Sequence, residues 1–399
     1  MIEKYITHLF TIVLLSFFLI TVPSCNQNSQ ETEADTDSSD DSTEEWIYVG
    51  TFDGRDSQGL YVFEFDRETL EFTERQTLSD RESPNFQALH PSGEYLYSVS
   101  NEAFSEQTGH GTLTAYRIED QTGMLSRLNE QSTGGRGAAH VSVDPQGRFV
   151  YVSNYSGGNL SVFAIGEDGQ VSEAVDVVEH EGSSINEHRQ NAPHVHSVIP
   201  SVDGRFIYVS DLGIDRIMIY EVNPSTGELR TADNPYVQNT PGAGPRHFTF
   251  HPNGQFAYSL EELTSTVAVF DVDPETGGLI KSQRVDMLPE EFDGDNTAAD
   301  IHMSPDGRFL YASNRGHDSL VIYEVDPDNG QLHYVEHEGT RGAHPRNFLI
   351  DHTGNYVFVA NRDADNIVIF ERDKETGQLN YTGNQIQVPM AVCITQLVK

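Results

Sequence analysis

PDGRFLYASNR, residues 305–315, is a tight turn that runs straight into a strand. Pro-Asp-Gly supplies the turn, because Pro presets φ and Gly accepts positive φ. Phe-Leu-Tyr-Ala-Ser then supplies a short apolar run rich in β-favouring residues. The phrase returns as PSGEYLYSVSN (91–101), PQGRFVYVSN (145–154), VDGRFIYVSD (202–211), PNGQFAYSLEE (252–262) and HTGNYVFVANR (352–362). A seventh copy, EEWIYVGTF (44–52), keeps the strand without the turn. The aligned aromatics are Tyr48, Tyr97, Tyr151, Tyr208, Tyr258, Tyr311 and Phe358, spaced 49, 54, 57, 50, 53 and 47 residues apart. Self-similarity with that period marks a propeller or a solenoid.

Each unit continues alike. An alternating strand follows, such as LSVFAI (160–165) or VAVFDV (267–272), then a Thr-Gly turn or its equivalent, then a more polar strand. Another short strand precedes each Gly turn, for example RHFTFH or RNFLID. That makes four strands per unit, and no long 3.6-residue apolar stripe supports a helical solenoid. The chain opens on a second strand, WIYVGTF, and ends on a spare first strand, VPMAVCITQ (388–396). Pairing the two would remove the open sheet edges. The expectation is all-β: a seven-bladed β-propeller of four-stranded blades spanning 46–399, closed by its N- and C-terminal strands.

The 399 residues carry 62 acids against 24 Lys and Arg, a formal charge of −38. Such a surface repels nucleic acid and anionic lipid headgroups, so neither is expected as a partner. Only four of the basic residues are Lys, and Arg clusters stand out against the acidic background. With two cysteines, Cys25 and Cys393, there is no disulfide framework, and Cys393 in VPMAVCITQL reads as a small buried hydrophobe.

At the start, Lys4 precedes the apolar run 9–20 and then VPSC (22–25). The run has the length of a signal-peptide core and is short for a membrane helix. Ser24 before Cys25 fits a bacterial lipoprotein cleavage box. Residues 1–24 are therefore expected to be a lipoprotein signal peptide, with Cys25 the lipidation site. An ordinary signal peptide is the alternative. Residues 25–45, with eight Asp or Glu in 26–45 and no Lys or Arg, read as an acidic disordered tether. The expected location is the bacterial cell envelope, periplasmic or surface-exposed, with the lipid as the sole membrane contact.

The internal copies act as controls for one another. The channel-facing position of the first strand reads Asn85, Ala139, His194, Arg246, Asp300, Arg346 and Met390. The position eight residues after the turn Gly reads Asn101, Tyr155, Leu212, Glu262, Arg315 and Arg362. The unusual residues belong to successive units, so they should converge on one sector of one channel mouth. Guanidiniums gathered there suit a carboxylate, phosphate or oxyanion; pairing of each with a local acid is the structural alternative. In APHVHS, His194 and His196 lie two apart on a strand and face one side. They could include a general base, line the channel through hydrogen bonds, or begin a metal site with His247 and His302. Arg189 and Gln190 sit on the preceding long loop, where function concentrates. There is no serine-nucleophile pattern and no P-loop, and GGRGAA (134–139) reads as a turn.

The segments RQNAPHVHS, GAGPRHFTFHPNGQFAY, LEELTSTVAVF, ADIHMSPDGRFLYASNRGHDS and HPRNFLIDHTGNYVFVANR resemble the seven-bladed propeller lactonases. That family includes propeller-type 6-phosphogluconolactonases and fungal carboxymuconate cycloisomerases, and the resemblance runs through nearly all of 46–399. It implies His196 as catalytic His with His194 as companion, and places the family's substrate-binding Arg, acidic residue and second Arg on Arg246, Glu262 and Arg315, all three expected to take part in catalysis. His194, Arg189, Arg346 and Arg362 are expected to bind substrate. Where the family has Asn before the acid, this chain has Glu261, an extra carboxylate expected beside the pocket.

The expected activity is hydrolysis of a sugar-acid or related carboxylate-bearing lactone by a monomer, with no metal or organic cofactor. His196 would activate water, Arg246 and Arg315 would hold the acid group and oxyanion, and Glu262 would orient His196 or the water. Two rival uses of the same residues are a muconate-type cycloisomerase and a non-catalytic binding propeller.

Overall fold

A computed structural model of the chain describes residues 44–79, 83–101 and 104–399. It contains seven four-stranded antiparallel sheets. Blade 1 closes the ring: Ala391–Val398 is its innermost strand and pairs with Glu45–Thr51, which is followed by Leu60–Asp66 and Glu71–Leu78. The innermost strands of blades 2 to 7 are Pro84–Leu89, Ala138–Val143, Val195–Pro200, Pro245–Phe250, Thr297–Met303 and Pro345–Ile350. Each packs against the innermost strand of the next blade, and the last returns to the first around the axis. The seven-bladed propeller read from the repeat is the fold found.

The fold begins just before Trp46. Glu44 exchanges backbone hydrogen bonds with Lys399, and Glu45 is a buried strand residue whose carboxylate accepts from Arg67 at 2.6 Å. The signal peptide, Cys25 and almost all of the tether lie outside the described residues. Among the described residues, no helix is long and apolar enough to cross a membrane.

The apolar core is divided among the seven blade interfaces. One cluster joins Phe206, Tyr208 and Ile219 of blade 4 to Phe248, Ala268 and Phe270 of blade 5, and the other six repeat the scheme. Two separate sequence signals meet there. The repeat tyrosine of one blade donates its hydroxyl to the Gly carbonyl in the Thr-Gly-type turn of the next: Tyr48 to Gly123, Tyr97 to Gly169, Tyr208 to Gly277, Tyr258 to Gly330 and Tyr311 to Gly377. Each such bond contributes about 1 kcal/mol. The turn must be Gly for two reasons. Gly277 has φ +69°, and a Cβ there would stand 2.7 Å from the Phe206 ring. Side-by-side blades locked this way hold the channel mouth rigid, which the site requires.

Candidate active site

Six of the seven innermost strands share one irregularity. In blade 4, Val195 pairs with Asp211 and Ser197 with Ser210, so His196 is the extra residue of a β-bulge. In blade 5, Arg246 is extra between Pro245 and His247; in blade 7, Arg346 is extra between Pro345 and Asn347. Asn85, Ala139 and Val392 hold the same place in blades 2, 3 and 1. In blade 6, Ala299 and Asp300 together stand across from Ser313. A bulge leaves one residue unpaired and re-aims its side chain, here toward the channel mouth.

This corrects the register counted from sequence at three positions. The channel-facing residues of blades 4 and 1 are His196 and Val392, in place of His194 and Met390. In blade 6, Ala299 precedes Asp300 in the bulge. Counting from the preceding Pro fails because Pro193 and His194 lie ahead of the blade 4 strand, whereas Pro245 and Pro345 are already in theirs.

The mouth encloses a cavity of about 330 Å³ whose lining includes Arg189, His196, Glu262, Arg315 and Arg346. Glu262 is its electrostatic centre. Oε1 accepts from Arg189 Nη2 at 2.6 Å, and Oε2 lies 3.1 Å from both Arg246 Nε and Arg315 Nη2. Both 3.1 Å contacts are ion pairs, and the hydrogen bond comes from Arg189. Burial alone would raise the Glu262 pKa, but Arg315, Arg246 and Arg189 pull it down to about 2. A carboxylate held so firmly ionised is a poor base. It touches three guanidiniums rather than the imidazole, so the expected orientation of His196 by Glu262 gives way to orientation of the arginines.

The arginines are fixed from behind as well. Arg246 Nη1 donates to the Ala299 carbonyl, and Arg315 Nη2 donates to Ala298 O at 2.6 Å. Burial, then the Arg315 charge, lowers Arg246 to about 10. Arg346 differs: its guanidinium lies over the Phe52 ring, 4.9 Å from the centroid, with no hydrogen-bond or ion-pair partner among the described residues. Burial, followed by Arg246 and Arg315, holds it well below the usual arginine range. Its donors are therefore available to a ligand.

Arg189 arrives on the long loop before blade 4. Asp215 ties that loop down, accepting from Ser184 and Gln190 and from the backbone of Gly242 and Gly244 at 2.5–2.7 Å. One carboxylate thus anchors both the Arg189 loop and the segment entering Arg246. His196 is 5% exposed and lines the cavity, while its Nδ1 is enclosed without a hydrogen-bond partner. Nε2 is thus the nitrogen available to the cavity. Burial, then the charges of Arg246, His247, Arg346 and Arg315, holds the ring neutral well below pH 6.5.

Two expected binding residues stand back. His194 stacks on Tyr155 at 4.5 Å, its Nδ1 3.1 Å from the Tyr155 carbonyl, and so buttresses the wall. Arg362 starts a short 3-10 turn and pairs with the adjacent Asp363 at 2.8 Å, away from the cavity. Glu261 also points elsewhere, accepting from Asn239, Thr266 and Arg284. His247 and His302, the other ligands of the metal alternative, both bond to Asp300, at 2.6 and 2.9 Å.

Phe52, Asn85, Asn101 and Tyr155 also line the cavity. The last three occupy the columns of the repeat comparison, but neutral side chains gave no chemical signal. Phe52 is the final residue of the strand copy that lacks its turn.

Comparison with known proteins agrees with this fold. Residues 46–396 match the family described as Lactonase, 7-bladed beta-propeller. A 6-phosphogluconolactonase of Formosa agariphila is 38% identical over 317 residues, covering 77% of this chain and 87% of its own. That of Bacillus subtilis is 35% identical over 306 residues, 77% of this chain and 85% of its own. The structure of a periplasmic gluconolactonase of Pseudomonas aeruginosa superposes with a TM-score of 0.83 at 32% identity, over 89% of this chain and 99% of that one. The chain belongs to the seven-bladed β-propeller lactonase family.

Proposed function

We propose that the chain hydrolyses a lactone of a sugar acid or a related carboxylate-bearing lactone. The single observation that carries the reading is the cavity lined by Arg189, Arg315, Arg346, Glu262 and the neutral His196, with Arg246 paired to Glu262 behind it. His196 Nε2 takes a proton from a water as the water oxygen adds to the lactone carbonyl. The oxyanion forms beside the arginines, of which Arg246 and Arg315 are buried and already fixed by Glu262 and backbone carbonyls, so that little reorganisation is needed. Arg346 has the donors to receive the charged or carbonyl oxygen, while Arg189, Arg246 and Arg315 are held in place by Glu262. The ring C–O bond then breaks, and the alkoxide recovers the proton from His196. Lactone plus water becomes the open hydroxy acid, with no cofactor needed for the balance.

The names of the relatives, 6-phosphogluconolactonase and gluconolactonase, support the substrate class. The test is hydrolysis of a panel of sugar lactones by the purified protein, with His196→Ala and Arg246→Ala beside wild type. Turnover by wild type with loss in both variants is expected; equal rates in all three would remove these residues from the mechanism. Oxygen-18 from solvent appearing in the product carboxylate separates hydrolysis from cycloisomerisation.

The reading extends to a monomer at the cell envelope, tethered through Cys25. Its support is the leader-like sequence 9–25, the ring closed by pairing of the terminal strands, and the periplasmic neighbour. Membrane fractionation of wild type and Cys25→Ser tests the tether, and release of the variant alone is the expected result.

A further inference from the structure

Beneath the cavity the bulges aim a second set of side chains at the axis. Phe86 of blade 2 meets His247 of blade 5 across the channel at 5.9 Å, and His140 lies 5.7 Å from His247. His196 sits above, 5.4 Å from the same ring. These rings form a floor, and the floor contains an anomaly. His140 Nδ1, His196 Nδ1 and His247 Nε2 are all enclosed with no hydrogen-bond partner, on residues only 5–6% exposed. A buried nitrogen left unpaired bears the full cost of its lost hydration. Three such nitrogens, on the His247 ring and two rings that both contact it, fit the usual surroundings of an internal water, which makes about three hydrogen bonds.

We propose that these three nitrogens bind one internal water, and that through it and His247 the Asp300 carboxylate acts on His196 as a positioning residue. The donors and acceptors close without remainder. Asp300 Oδ1 accepts from His247 Nδ1 at 2.6 Å, which leaves a lone pair on His247 Nε2. The water donates one hydrogen there and the other to His140 Nδ1, and accepts from His196 Nδ1–H. His196 is thereby fixed in the tautomer whose Nε2 lone pair faces the cavity. When Nε2 gains a proton, the positive charge is opposed by Asp300 at the far end of the chain of bonds. Asp300 is itself held by His302, Asn347 and the Phe348 amide. This inference rests on the reading of His196 as the base.

The groups that face His196 are Arg246 and His247 of blade 5, Glu262, Arg315, Arg346 and Tyr155. The test therefore changes Asp300, which is not among them. Nitrogen-15 imidazole spectra of the full chain give the tautomer and titration midpoint of His196 whether or not a substrate is in hand. Wild type should show His196 protonated on Nδ1, and a high-resolution crystal structure should show a water within hydrogen-bond distance of the three nitrogens. Asp300→Asn should lower the His196 midpoint by about half a unit or more. With a lactone substrate, its kcat should fall about tenfold at unchanged KM. If Asp300→Asn does not fold, the wild-type measurements decide: His196 protonated on Nε2 rather than Nδ1 overturns the relay. An unchanged His196 spectrum in a folded variant overturns the relay, as does a floor with no ordered water. Full activity in His196→Ala would instead overturn the base assignment, while the tautomer measurement would still judge the relay.

Discussion

Blades 2 and 3 and blades 4, 5 and 7 use one backbone device for two purposes. All five place the extra residue of a bulge at the channel mouth. In blades 2 and 3 that residue is Asn85 or Ala139; in the others it is His196, Arg246 or Arg346. The strands around it, the Gly turn before the second strand and the Thr-Gly turn after the third are alike in both groups. The packing is therefore spread around the ring, whereas the basic and imidazole side chains at these mounts occupy one sector. The repeat supplies rigid side-chain mounts, and substitution at a few of them supplies the site.

The comparison breaks most sharply at His196. His196→Ala should lower kcat by about 10²–10⁴-fold, the usual contribution of a positioned acid or base. Asn85→Ala, at the same mount in blade 2, should stay within about tenfold on the same scale. Comparable losses in steady-state assays of the two would dissolve the division. Because burial and the neighbouring cations hold His196 neutral, the acid limb of kcat/KM should lie below the pH 6.5 of a free imidazole.

Glu262 should give the next largest effect, on stability. Its folded pKa of about 2 lies below the ordinary 4.5. The unfolded chain therefore binds the proton first, and the stabilisation is complete above about pH 4.5 and lost as pH falls through 2. A shift of that size corresponds to about 3 kcal/mol. Glu262→Ala should lose roughly that much in denaturant melts at neutral pH, leaving three guanidiniums without their counter-charge. It should also flatten the fall in stability between pH 4.5 and 2.

Arg346→Met should separate function from stability. The substitution removes a half-buried cation with no ion-pair partner among the described residues, so the melting temperature should hold or rise. KM for an acidic lactone should meanwhile increase about tenfold through loss of a charged hydrogen bond. The smallest effect belongs to Arg362→Ala: its guanidinium pairs locally outside the cavity, and kcat/KM should change by less than about threefold. A large loss there would extend the functional sector beyond the cavity.

The fold was legible because turn, aromatic and alternating strand recur seven times, each copy checking the rest. The convergence of His196, Arg246, Glu262, Arg315 and Arg346 was legible because neighbouring repeats become neighbouring blades. The bulge was not, since period-2 reading assumes a regular ladder; that is why His194 and Met390 were set two residues early. Partner choice was hidden too. Nothing in the string says that Glu262 bonds three arginines, or that Glu261 turns to Asn239 and Arg284 instead. Those outcomes depend on side chains brought together from as far apart as Arg189 and Glu262.

The pairing of Ala391–Val398 with Glu45–Thr51 has a temporal consequence. The first strand of the ring cannot find its inner neighbour until residues 391–398 have been made. Blades 2 to 7 are each contiguous in sequence and can form as they emerge, but the circle stays open until that strand arrives. Ile394 then donates its amide to Asn347, beside Asp300, as the final piece slides in. A nascent chain therefore carries most of the parts of a working cavity before it has the walls to hold them.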